Sequence, residues 1–262
     1  MTFSAHRATG LQLPNSKWWQ CLFSDPDACI RLWGFPCIGA GAAIWRPWAG
    51  PLAGAAELLA VCLPGRDARL CEAPVTRIDV LATAMAAEFE LHSDERDVFL
   101  GHGLGALLAY EVARRLRRDG APGPRALIVC GERPPDTPRR PAPFLHTLSP
   151  REFKAGVERT YGDIPAEFAQ CPEALEFLLP MLRADVEALE TYVFDRRFER
   201  LDIPILAMAG TSDALVSADD LRAWCRHTTS WFQSVQVAGS HFIVTDNVFE
   251  TADRARTFLA SL

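Results

Sequence analysis

Hydrophobic residues along the chain gather in short runs separated by longer amphipathic stretches. Six runs stand out: "RLWGF" at 31–35, "ELLAVCL" at 57–63, "VFLG" at 98–101, "ALIVC" at 126–130, "PILAMA" at 204–209 and "SVQVA" at 234–238. Most are continuous rather than alternating, as strands buried on both faces are, and the spacers are long enough for crossover helices. The pattern predicts an α/β fold with a mainly parallel, doubly wound sheet. Roughly seventy residues separate "ALIVC" from "PILAMA", too many for a plain loop in a compact domain. That stretch opens Pro-rich, "RPPDTPRRPAP" at 133–143, and continues into the helical patterns "SPREFKAGVERTY" and "CPEALEFLLPMLRADVEALETY". Ser149 followed by Glu152 matches a capping box and marks a helix start. The expected organisation is a core built from 1–132 and 201–262, with a helical lid insertion at 133–200.

Composition narrows the class without changing that picture. The chain has 262 residues, 49% of them hydrophobic and 23% charged, which suits one globular domain with an insertion. No segment approaches the ~18 uncharged apolar residues of a membrane span. The opening "MTFSAHRATGLQLPNSKWW" lacks the apolar stretch of a signal peptide, so a cytoplasmic location without membrane attachment is expected. The net charge of −6 argues against a nucleic-acid partner. The basic "ARRLRRDG" at 113–120 reads as the solvated end of a helix, where cations suit the macrodipole. Eight scattered cysteines show neither a C-x-x-C pair nor a Cys/His grouping, so free thiols and no metal site are expected, with Cys62 and Cys130 in the core.

Chemistry enters at "VFLGHGLGALLAYEVARRL" (98–116), which reads as strand, sharp turn and helix. Its turn, Gly101-His102-Gly103-Leu104-Gly105, has the form of the G-x-S-x-G nucleophile elbow with glycine in place of the serine. Downstream, Asp213 in "ILAMAGTSDALV" and His241 in "VQVAGSHFIV" each follow a strand. Elbow, acid and histidine in that order match the α/β-hydrolase sequence of parts, at the strand ends where such sheets place their chemistry. Singly, Asp213 also reads as turn chemistry and His241 as a structural histidine. His102 reads as a packing residue beneath the turn. An oxyanion hole needs two backbone N–H donors. One falls to Leu104, and the other to the Gly-rich "FPCIGAGAAIW" (35–45), which otherwise reads as a flexible turn or a phosphate cradle. No G-K-[ST] follows it, which argues against a Walker loop. Cys37, beside that loop, reads as packing.

Several of these segments together resemble the type II thioesterases that serve polyketide and nonribosomal peptide synthetases. "LWGFPCIGAGAAIWRPWAGPL" is similar to the family's F-P-x-A-G-G opening, "AVCLPGRDARLCEAP" to its L-P-G-R-x-x-R block, and "FLGHGLGALLAYEVARRL" to its G-H-S-M-G-A elbow. "LLPMLRADVEALETY" resembles its P-x-x-R-A-D segment, and "AGTSDALVSADDLRAWCRHTT" and "AGSHFIV" its acid and histidine segments. The resemblance implies an α/β hydrolase that cleaves acyl or peptidyl groups from the phosphopantetheine thioester of a carrier protein, with no cofactor of its own. It implies His241 as general base, Asp213 as its orienting acid, the amides of Ile38 and Leu104 as oxyanion donors, and position 103 as the nucleophile. Gly103 departs from the family there, as do Ala40 and Ser240 at family glycines and Ile38 at a small alanine.

Three readings follow from that departure. The His241/Asp213 pair acts directly on water or on the substrate, promoting hydrolysis, cyclisation or proton transfer. Alternatively, glycine was introduced into a serine thioesterase to trap a substrate. In the third, the chain is an inactive thioesterase-fold protein that binds a carrier protein or an acyl chain.

Overall fold

A computed structural model describes residues 16–25, 27–138, 143–162, 171–197 and 199–262. Most of the opening segment, the end of the Pro-rich stretch and part of the insertion therefore lie outside the described residues.

Among the described residues, seven strands form one sheet: β1 (Trp19–Phe23), β2 (Arg31–Phe35), β3 (Glu57–Val61), β4 (Asp97–His102), β5 (Ala126–Cys130), β6 (Ile205–Gly210) and β7 (Phe232–Val237), in the order β1-β3-β2-β4-β5-β6-β7. All neighbours run parallel except β1, which pairs antiparallel with β3. The six expected strands are all present within a residue or two. β1 was not anticipated, because "WQCLF" is a half-exposed edge with an irregular register and carries no buried-strand signature.

Side-chain alternation sends each central strand's residues to two separate cores. Trp33, Phe35, Leu59, Phe99 and Val129 pack on one face against helices Ile78–Glu90 and Leu104–Asp119, through Leu81, Met85, Phe89 and Leu107. Leu32, Leu58, Leu100, Ile128 and Met208 pack on the other against Trp45, Trp48 and the last helix, Val248–Leu259. Burying both faces is what makes these strands read as unbroken apolar runs.

The Arg-rich helix end is solvated at its last turn, as expected, and departs from that state at Arg114. Arg114 is buried: it donates to Glu111 at 2.8 Å and to the Asp195 carbonyl at 2.6 Å, and lies over the Phe194 ring. Its guanidinium plane can stack and hydrogen-bond at once, whereas helix position alone suggests only solvent. The helix does end as a basic terminus should, with Arg117 and Arg118 in its last turn and Gly120 left-handed at the cap.

Among the described residues between β5 and β6 are two α-helices, Pro150–Tyr161 and Pro172–Glu190. The first starts with the expected capping box, Ser149 with Glu152. Phe153 and Val157 of the first pack against Leu182 and Val186 of the second, forming a small core of their own. Buried Glu190 accepts the Leu145 N–H at 2.8 Å and the His146 ring at 2.7 Å, pinning the segment's entry to its exit.

Candidate active site

β4 ends at His102, and helix Leu104–Asp119 starts at once, leaving Gly103 to make the whole turn. It does so at φ 54 and ψ −122, a region that residues with a side chain rarely adopt. Its N–H donates to the Cys130 carbonyl at 2.9 Å, and its own carbonyl accepts from Ala106, also at 2.9 Å. The flanking glycines are required by space: a Cβ on Gly101 would lie 2.4 Å from Ala106 backbone, and one on Gly105 2.2 Å from the Phe35 carbonyl oxygen. At Gly103 the surroundings are open, and a Cβ would meet only the Cys37 side chain, at 3.6 Å. The turn has an elbow's shape, and its central residue carries no side chain.

Strand register brings the other residues to the same edge. Phe35 pairs with Gly101, and His102 with Cys130, so the loops after β2, β4 and β5 leave the sheet together. The loops after β6 and β7 are stitched to each other: Thr211 N–H donates to the Val237 carbonyl at 2.8 Å, and Ser212 N–H to that of Gly239 at 3.0 Å. This stitching carries Asp213 to His241, whose Nδ1 lies 2.9 Å from Asp213 Oδ2. Because a carboxylate only accepts, Nδ1 holds the proton and Nε2 is left as the basic nitrogen. Asp213 Oδ1 accepts the N–H groups of Leu215 at 2.8 Å and Val216 at 3.1 Å, so the aspartate fills its turn role and the histidine role together. Burial alone would raise its carboxyl pKa. The His241 hydrogen bond and charge and the two amides outweigh it and hold the group below the ordinary carboxylate range.

His102 is fully buried beneath the turn, with Nε2 3.1 Å from the His241 carbonyl oxygen, and therefore serves as packing and support, as the sequence indicated. Burial, followed by the charge of His241, depresses its pKa to about 3, which keeps the ring neutral. Cys37 is a protonated thiol: burial first, and then the Asp185 carboxylate, push it up to about 12.

A cavity of about 900 Å³ opens over this edge. Cys37, Ile38, Gly103, Leu104 and His241 line one side, and Val157, Tyr161, Leu178 and Leu182 of helices Pro150–Tyr161 and Pro172–Glu190 line the other. The amide of Leu104, first residue of its helix, has no intrahelical acceptor. Among the described residues, no group of three or more His, Cys, Asp or Glu side chains could hold a metal ion, and no helix is long and apolar enough to cross a membrane. Sequence reasoning assigned no role to Arg66, Asp67 and Asp185, all of which contact the 37–42 loop. They lie inside two of the segments that carried the family resemblance, but the types alone gave no partner.

A mainly parallel sheet, a tight glycine turn after a central strand, and an Asp–His pair on later strand ends define the α/β-hydrolase fold. The chain belongs to the thioesterase-domain family, whose model matches residues 31–259. It is 32% identical over 241 residues to thioesterase PikA5 of Streptomyces venezuelae, covering 92% of this chain and 84% of that one. It is 29% identical to gramicidin S biosynthesis protein GrsT of Aneurinibacillus migulanus, covering 90% and 91% of the two chains. Among solved structures, RedJ, a thioesterase from the prodiginine biosynthetic pathway of Streptomyces coelicolor, superposes with a TM-score of 0.81 at 33% identity, covering 90% of this chain and 92% of that one.

Proposed function

We propose that this chain acts on acyl or peptidyl thioesters carried on the phosphopantetheine arm of a polyketide or nonribosomal peptide carrier protein, and does so without an acyl-enzyme. The observation that carries this reading is the 2.9 Å His241–Asp213 pair, retained beside a cavity whose elbow residue has no side chain. In the serine scheme the histidine deprotonates the hydroxyl, which then attacks. Here the attacking group must be water or a nucleophile of the substrate itself.

For hydrolysis, water beside Gly103 gives a proton to His241 Nε2 as its oxygen bonds to the thioester carbonyl carbon. The amides of Leu104 and Ile38 receive the developing oxyanion. The C–S bond then breaks, and His241 returns the proton to the leaving sulfur. Asp213 keeps the ring in the required tautomer and stabilises the imidazolium between those steps. The helices between β5 and β6 serve as the lid, and their apolar wall takes the acyl chain.

A second reading, a binding protein for the carrier or its acyl chain, is favoured by the missing nucleophilic atom at 103. One experiment separates the two: release of free acid from a hexanoyl-loaded carrier protein, compared between the native chain and His241→Ala. Turnover that depends on His241 supports the catalytic reading, and tight binding without turnover supports the other.

A further inference from the structure

The loop supplying the Ile38 amide is a tight turn with external clamps. The Ala40 N–H donates to the Cys37 carbonyl at 3.1 Å, and Gly39, third of the four residues, has φ 71. Those are the marks of a type II turn, whose alternative, type I, differs by a flip of its central peptide, here Ile38–Gly39. That peptide is gripped from outside: the Gly39 N–H donates to Asp185 Oδ2 at 2.9 Å. Arg66 binds the same carboxylate through both terminal nitrogens, at 2.9 and 2.6 Å, and donates to the Ala40 carbonyl at 2.9 Å. Asp67 accepts the Ala42 N–H at 2.8 Å. Both partners of the Arg66–Asp185 pair are buried.

Asp185 belongs to helix Pro172–Glu190, which also places Leu178 and Leu182 on the cavity wall. Leu182 packs closely on Gly39, where an added Cβ would lie 3.1 Å from its Cδ1. The helix that bounds the cavity therefore also holds the turn that aims the Ile38 amide.

We infer that Asp185 and Arg66 are positioning residues for the reaction, holding the turn that carries the Ile38 donor by gripping its Gly39 N–H and its Ala40 carbonyl from outside. They also make that donor's geometry depend on how the cavity-wall helix is seated. This inference rests on the thioester reading above.

The test combines residue-resolved amide exchange at Gly39 with kcat and KM for hexanoyl-pantetheine, in the native chain, Asp185→Asn and Asp185→Ala. Asn retains one acceptor and the shape of the site, so it keeps the test available if Asp185→Ala does not fold. The expected result is faster Gly39 exchange in the variants, with kcat down about 10- to 100-fold and KM within about threefold. Asn should recover part of the Ala loss. Unchanged Gly39 exchange, or a change in KM with kcat preserved, overturns the inference. If the native chain does not turn over, the functional reading fails by itself, and the same kcat comparison in a Gly103→Ser background still decides the positioning. Turnover in neither background overturns both.

Discussion

Asp213 and His241 are joined at 2.9 Å through one carboxylate oxygen, while the other oxygen of Asp213 closes its own loop on the Leu215 and Val216 amides. The acid is thus fixed by backbone before it fixes the imidazole, and the pair stays ordered although position 103 presents no hydroxyl.

Asp213→Asn should preserve the loop bonds but leave Nδ1 facing an amide that can donate as well as accept. Turnover of a hexanoyl thioester should fall by ~10²- to 10⁴-fold, and as far in His241→Ala, with melting temperatures close to native. Steady-state rates beside thermal melts check this.

His102 makes stability depend on pH. Its imidazole titrates near 6.5 when unfolded and near 3 when folded, so between these values the unfolded chain holds a proton that the folded chain does not. The His102 contribution is therefore full above about pH 6.5, falls as pH drops through that window by on the order of 5 kcal/mol, and levels below about 3. The depressed Asp213 carboxyl adds a loss of the same sign at the acid end, below the ordinary carboxylate range. Urea unfolding from pH 7 to 4 should show this slope in the native chain and a flatter one in His102→Gln, which removes the titrating ring but keeps a donor for the His241 carbonyl; the slope that remains falls to buried His227, whose pKa burial also lowers.

The elbow glycines should differ sharply in tolerance. Gly103→Ser has room for its side chain but must hold φ 54, which costs ~1–2 kcal/mol. Gly105→Ala would press a methyl onto the Phe35 carbonyl and should cost about 3 kcal/mol or abolish folding. Urea midpoints for the two variants provide the comparison.

Acyl-chain selectivity should follow the cavity wall. Val157 is buried and lines the cavity. Val157→Phe should weaken dodecanoyl-pantetheine by about tenfold or more while leaving butanoyl-pantetheine within about twofold. KM values across a chain-length series give the answer.

Much of the architecture was legible because strands buried on both faces announce themselves, and the elbow, Asp213 and His241 each sit directly after such a run. β1 was illegible for the converse reason: an edge strand exposes half its residues, and only Trp19 of "WQCLF" is buried. Arg114 was misread because a helix end looks the same in sequence whether a later loop covers it or not, and the cover, Phe194 and Asp195, lies some eighty residues away. The Arg66–Asp185 clamp spans 119 positions, so no local pattern could pair them. The family blocks marked both residues, and folding alone brings them together.

The most direct measurement follows hexanoyl-loaded carrier protein with the native chain and Gly103→Ser side by side, recording acid release and the intact mass of each protein. Acid release by the native chain with no mass increase, and a hexanoyl adduct only in the serine variant, are the expected results. Release confined to the serine variant would contradict the catalytic reading and leave the native chain as a binding protein.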